Sequence, residues 1–256
     1  MSTYALSDSA TMLRRDFRHM RRYPVMTIST VLTPTAFLLL FVYVFGGAIG
    51  AGLGGASYVN YIVPGILMMT VGSGCAATAV GVNADMTEGI VARFRTMAIS
   101  RASVLTGQVI GSLIRTMMSI IIVLGLALLM GFRPTASLIN WIEALSLIAL
   151  FTFAVSWMGV VFGLVGKTPA GANSLSLIFV LLPFISSAFV RAESMPVGIR
   201  WFAEYQPFTP IIDTLRGLLL GTPIGNSAIL AIAWCAAIAL VGYLLARAIY
   251  NRDPVK

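Results

Sequence analysis

Apolar runs of membrane-crossing length alternate along the chain with short polar interruptions, a pattern that predicts an all-α integral membrane protein. The runs lie at about Val25 to Phe45, Tyr58 to Val82, Val104 to Met130, Trp141 to Val165, Leu175 to Val190 and Ile229 to Ala248. A bilayer needs about 20 such residues per helix, so six transmembrane helices are expected. Before the first run, Leu6, Ala10, Leu13, Phe17 and Met20 recur at alternating spacings of 4 and 3, with Arg14, Arg15, Arg18, Arg21 and Arg22 on the other faces. Such a helix lies in the headgroup plane. Pro24 then breaks it and turns the chain into the bilayer.

The polar interruptions differ in character. Gly46 to Gly55 carries no charge and reads as a flexible outer loop, and Gly166 to Asn173, with Lys167, reads as a short turn between the fourth and fifth spans. The longest interruption runs from Asp85 to Gln108. Asp85 and Glu88 can cap a short helix start, and Arg93, Arg95 and Arg101 gather toward its far end, the order that a helix dipole favours. Ile90, Phe94 and Met97 recur at i, i+4 and i+7, giving one apolar side. This is a surface contact element rather than a catalytic one. Between the last two spans, Arg191 to Gly221 contains Pro196, Pro207 and Pro210 and two half-length apolar patches, around Trp201 and from Ile211 to Leu220. Pieces of that length are re-entrant or interfacial.

Composition agrees with the pattern. Of 256 residues, 58% are hydrophobic and 10% charged, where a soluble domain carries about 25% charged residues. The formal charge of +8 does not indicate nucleic acid, because the basic residues sit at the ends of apolar runs without interleaved aromatics. Their distribution orients the chain instead. Arg14, Arg15, Arg18, Arg21, Arg22, Arg93, Arg95, Arg101, Lys167, Arg247, Arg252 and Lys256 fall on one side; Arg133, Arg191, Arg200 and Arg216 fall on the other. The positive-inside rule places both termini and the Asp85 segment in the cytoplasm.

The chain offers no engine of its own. In VFGLVGKT the position six before Lys167, where a P-loop needs glycine, is Val161, and the context is the end of a span. Cys75 and Cys235 each lie inside an apolar run, as packing residues do, and His19 has no partner for metal or triad chemistry. No Asp or Glu falls in the middle of a span; Glu143 is nearest, about two residues inside the fourth. Ion-coupled carriers bury carboxylates near the midplane, so a secondary carrier is disfavoured. A non-transporting membrane scaffold or assembly factor is the alternative.

Arg115, inside the third span, either snorkels to the interface or faces a bundle interior. Gly107 with Gly111 and Gly159 with Gly163 stand at small-xxx-small spacing, which permits close helix packing. Phe37, Phe41, Met68, Met69, Phe151 and Phe153 read first as packing or lipid-facing side chains. Phe37, Phe41, Met68, Met69, Arg115 and Phe184 are the candidates for a substrate path.

Several stretches together resemble the permease subunits of ABC-2 type transporters, especially the actinobacterial branch similar to the daunorubicin/doxorubicin resistance permease. They are RRYP at Arg21 to Pro24, FVYVFGG at Phe41 to Gly47, YIVPGIL at Tyr61 to Leu67, EGIVARFRTMAISRASVLTG at Glu88 to Gly107, PFISSAFV at Pro183 to Val190, and MPVGIRWFAEYQPFTPIIDTLRGLLLG at Met195 to Gly221. The resemblance implies that Glu88, Gly89, Arg93, Phe94, Arg95 and Arg101 belong to a cytoplasmic coupling helix seated on a separate ATPase subunit. Asp85 and Met97, on the same segment, complete the candidate ATPase-coupling residues. It further implies an N-terminal bracing helix (1–23), a six-helix ABC-2 transmembrane domain (24–249) with outer re-entrant helices, and a cytoplasmic tail (250–256). Two permeases, the second a copy or a paralogue, would pair with two nucleotide-binding subunits that hold ATP and Mg. No cofactor is expected in this chain itself. The implied activity is export of a hydrophobic or amphiphilic drug, antibiotic or lipid-like cargo across a bacterial inner membrane. Alternating access at the dimer interface would be lined by the first two spans and the fifth.

Overall fold

A computed structural model of the chain describes residues 24–47, 58–87, 101–190 and 194–252, and among these every regular element is helical. We number the helices α1 (Pro24–Leu39, continued by a π-helical turn Leu40–Phe45), α2 (Tyr58–Thr87), α3 (Arg101–Leu129), α4 (Leu138–Val165), α5 (Pro169–Leu181, continued by a 3-10 turn Leu182–Ile185), α6 (Val197–Tyr205), α7 (Phe208–Leu220) and α8 (Ser227–Arg252). Among the described residues, four stretches are long and apolar enough to cross a membrane: Tyr58–Thr87, Leu105–Leu129, Leu138–Val165 and Ser227–Tyr250. The first and fifth expected spans appear as the shorter apolar helices Val31–Phe45 and Pro169–Ile185. The expected interfacial helix, with His19, lies outside the described residues.

The bundle is organised around α2, which packs against α1, α3, α4, α5 and α7, whereas α8 packs only on α4 and α7 to any extent. What lets α2 and α4 approach is the absence of side chains. A Cβ added at Gly159 would lie 2.8 Å from the Cys75 carbonyl oxygen, and one at Gly163 would lie 2.7 Å from that of Ala79. The Gly159 and Gly163 pair therefore faces a complementary pair of small residues, Cys75 and Ala79, on α2. Gly107 and Gly111 are both buried on α3. Cys75 and Cys235 are buried free thiols within the core.

Three elements differ in their boundaries from the sequence expectation. The stretch from Gly166 to Asn173 is not a turn throughout, because α5 begins at Pro169. Thr168 caps it, its Oγ1 accepting from the Gly171 amide at 3.1 Å, and proline suits the first helical position, where no amide donor is needed. The same element ends at Ile185 rather than near Val190, and residues 186–190 form turns. Second, α4 begins at Leu138 behind the cap Ser137, so Glu143 sits deeper in its helix than expected. Third, α2 runs unbroken to Thr87, so Asp85 belongs to its last turn and does not cap a new helix.

In the region from Arg191 to Gly221, α6 and α7 are the two half-length elements that the prolines and apolar patches predict. At about 1.5 Å per residue neither reaches the 30 Å of a hydrocarbon core. Gly221, in the left-handed conformation with φ 74°, ends α7.

Candidate functional site

Four phenylalanines form one cluster where α1 meets the end of α5. Phe37 packs edge-on to Phe184 with ring centroids 5.4 Å apart, and Phe41 stacks on Phe189 at 4.4 Å. Phe184 stacks on Phe189 at 5.1 Å. Phe37, Phe41 and Phe184 are each half-buried, while Phe189 is buried behind them. Three rings thus keep part of their surface open over a fourth that fixes their geometry. The π-helical turn Leu40–Phe45 begins beside Phe41, and such turns recur at functional sites in helices. Phe37, Phe41 and Phe184, nominated from sequence, are brought together; Phe189 was not nominated, though it lies within the quoted PFISSAFV.

The other nominated residues sit elsewhere. Met68 and Met69 are fully buried in the core of α2, so within a single chain they support the walls rather than form them. Arg115 is half-buried on α3, and its carbonyl accepts from the Ser119 hydroxyl at 3.1 Å.

Next to the aromatic cluster is a polar bracket that sequence reading did not find. Arg216 on α7 donates from Nη1 to Asp213 Oδ1 (2.8 Å) and from Nη2 to the Ser187 carbonyl (2.9 Å) and the Tyr61 carbonyl (3.3 Å). Its guanidinium lies over the Tyr61 ring, 4.1 Å from the centroid. The Ser187 hydroxyl donates to Asp213 Oδ1 at 2.8 Å, and the Tyr61 hydroxyl donates to the Ser187 carbonyl at 3.0 Å. The bracket joins α2, the turns after α5, and α7. It supplies donors to the Ser187 carbonyl in the turns after α5 and to the Tyr61 carbonyl, pairing polar groups internally as a membrane protein must. The only sequence signal for it was charge in a region otherwise apolar.

At the opposite end of the bundle, the base of the predicted contact segment is tied down on two sides. Gln108 Nε2 of α3 donates to Asp85 Oδ2 of α2, so the helices that enter and leave the segment are joined directly. Asn83 Nδ2 donates to the Gly163 carbonyl at 3.0 Å and to the Gly166 carbonyl, linking α2 to the elbow between α4 and α5. Of the coupling candidates, Asp85 is in this base and Arg101 is the first residue of α3. Glu88, Gly89, Arg93, Phe94, Arg95 and Met97 lie outside the described residues. Between the two ends, Thr78, Ser112 and Ser156 form a buried hydroxyl relay across α2, α3 and α4, with 3.0 Å between the two serine oxygens.

Among the described residues no cluster of His, Cys, Asp or Glu could hold a metal ion. The architecture is that of a helical membrane bundle with an aromatic surface near one end and the hydrogen-bonded ends of α2 and α3 at the other.

Residues 9–220 match the ABC-2 type transporter family. The chain is 31% identical over 220 residues to the daunorubicin resistance ABC transporter permease protein DrrB1 of Streptomyces coeruleorubidus, covering 85% of this chain and 77% of that protein. It is 24% identical over 217 residues to the probable doxorubicin resistance ABC transporter permease protein DrrC of Mycobacterium tuberculosis, covering 85% and 78%. A more distant similarity, 24% over 217 residues and 80% of each chain, is to the inner membrane transport permease YadH of Escherichia coli. The chain belongs to the ABC-2 type transporter family, as a multi-pass membrane permease.

Proposed function

We propose that this permease is the membrane half of an ATP-driven exporter, working as a pair of permeases with nucleotide-binding subunits that hold ATP and Mg. The match of residues 9–220 to the ABC-2 family carries this reading. The braced base of the Asp85 to Arg101 segment supports it further. A contact segment can transmit force only if its ends do not give. Here the Asp85 to Gln108 hydrogen bond joins the flanking ends of α2 and α3, and the Asn83 to Gly166 bond ties α2 to the elbow between α4 and α5. Asp85, Glu88, Gly89, Arg93, Phe94, Arg95, Met97 and Arg101 form the surface that takes the push of the ATPase.

In this reading the first and fifth apolar helices complete a six-span topology, with α6 and α7 entering the outer face without crossing. Both termini are cytoplasmic, and the membrane is the bacterial inner membrane. The aromatic cluster of Phe37, Phe41 and Phe184 lies on α1 and α5, elements that would meet a second permease at the dimer interface. Partly exposed stacked rings suit a hydrophobic or amphiphilic cargo, of the kind that the names of the drug-resistance relatives indicate for those proteins.

The test is co-purification with a nucleotide-binding subunit followed by cargo-stimulated ATP hydrolysis. Glu88→Ala and Arg93→Ala are expected to abolish the stimulation while leaving basal hydrolysis by the ATPase subunit intact. Retention of full stimulation in both variants would remove the coupling role from this segment.

A further inference from the structure

Between α4, α7 and α8, none of which packs extensively on α1, lies a groove of about 400 Å³. That volume falls within the range of about 300 to 1,000 Å³ typical of small-molecule sites. Leu150, Leu218, Ala228 and Ile232 contribute to its apolar walls. Leu150 and Ile232 are themselves 41% and 56% exposed, so the groove is reached from the surface of the bundle that faces lipid.

Glu143, Ser146 and Thr214 are the polar residues of the lining. Thr214 is already engaged, its hydroxyl donating to the Pro210 carbonyl at 2.7 Å. Glu143 is exposed into the groove's edge and makes no ion pair with any Lys or Arg among the described residues. It is not at the end of its helix. With α4 starting at Leu138, Glu143 stands roughly 7.5 Å along the axis, beyond the interfacial Trp141. Two residues beyond Trp141, its carboxylate stands near the edge of the hydrocarbon, where it can meet the charged centre of an amphiphile.

The chemistry of the lining selects its ligand. Apolar walls penalise a polar body that they cannot hydrogen-bond. The carboxylate repels an anionic headgroup, and a neutral acyl chain would cover it without pairing it. An apolar body carrying one cationic centre satisfies both features.

We propose that this groove is a lateral binding site for a lipid-soluble cation, whose body lies against Leu150, Leu218 and Ile232 and whose charge pairs with Glu143. The site narrows the cargo class of the exporter described above, and rests on that reading only for its membrane setting. The groove shares no residue with the aromatic cluster, so the two are separate candidate surfaces.

The full-length permease in phosphatidylcholine nanodiscs, without ATPase or nucleotide, is titrated with the cationic dye rhodamine 6G and with an uncharged BODIPY hydrocarbon dye, both followed by fluorescence anisotropy. Glu143→Gln is expected to weaken rhodamine 6G about tenfold and to leave the neutral dye within twofold. Ala228→Trp, which fills the groove, is expected to remove the Glu143-dependent component of rhodamine 6G binding, whereas Leu240→Ala, on α8 outside the groove, leaves it unchanged. Thermal melts of each variant in the same nanodiscs establish that it is folded. The proposal is overturned if wild type shows no saturable rhodamine 6G binding, or if Glu143→Gln changes both dyes equally. It is also overturned if folded Ala228→Trp keeps the Glu143-dependent binding, or if Leu240→Ala removes it. Because no nucleotide is present, failure here leaves the ATP-coupling reading standing, and failure of coupling leaves this site standing.

Discussion

Helices α2 and α8 are both long and apolar, yet they occupy opposite environments. The most apolar window of α2 has a mean hydropathy of 1.6 and is 72% buried, whereas that of α8 has a mean hydropathy of 2.4 and is 17% buried. The more hydrophobic helix is the more exposed one. In water this order would be perverse; in lipid it follows, because an apolar side chain gains little by leaving hydrocarbon tails for a protein interior. Association there depends on close backbone approach and on hydrogen bonds. Accordingly α2 contributes Gly72, Gly74, Cys75, Thr78 and Ala79 to its contacts. α8 instead presents Leu240, Leu244 and Leu245 outward.

The strongest challenge to this contrast is to thicken α2 where it is thinnest. A Cβ at Gly72 would collide with the Phe179 carbonyl of α5. Gly72→Leu is therefore expected to cost about 3 kcal/mol or more, read as a large fall in melting temperature and loss of monodisperse protein in detergent. Next in size is Arg216→Ala, which removes charge-assisted hydrogen bonds to Asp213 and to two carbonyls. It is expected to cost about 2 kcal/mol and to loosen α7 from α2, detectable as faster hydrogen exchange over residues 208–220. The smallest effect belongs to α8. Leu240→Ala, at a position 60% exposed, is expected to change stability by less than about 0.5 kcal/mol. A larger loss there than for Gly72→Leu would reverse the account of what holds the bundle.

How far the sequence could be read follows from the same physics. The four long spans and the two half-length helices α6 and α7 were legible, because length, hydropathy and proline placement are local properties. The spacing of Gly159 and Gly163 was legible as a packing motif, but its partners Cys75 and Ala79 were not, since nothing local pairs two helices. The start of α5 at Pro169 was missed because the polar GKTPAGAN sequence resembles a turn, although Thr168 followed by proline is a helix-start signal. Asp85 was assigned to a new helix because a charge after an apolar run looks like an exit from the membrane. In the structure its carboxylate receives Gln108 from the next helix. The aromatic cluster was legible only in part: Phe37, Phe41 and Phe184 were nominated singly, and Phe189 completes them from the turns after α5. The bracket of Tyr61, Ser187, Asp213 and Arg216 was out of reach, because its members are brought together only by the tertiary fold.

Dependence of this bundle's transport on nucleotide hydrolysis by another polypeptide is the core of the proposed function. It is tested most directly in sealed liposomes by uptake of a fluorescent cargo, comparing permease alone under an imposed proton or sodium gradient with permease plus its ATPase and MgATP. Accumulation in the second preparation only is the predicted result. Uphill accumulation driven by the ion gradient with permease alone would contradict it.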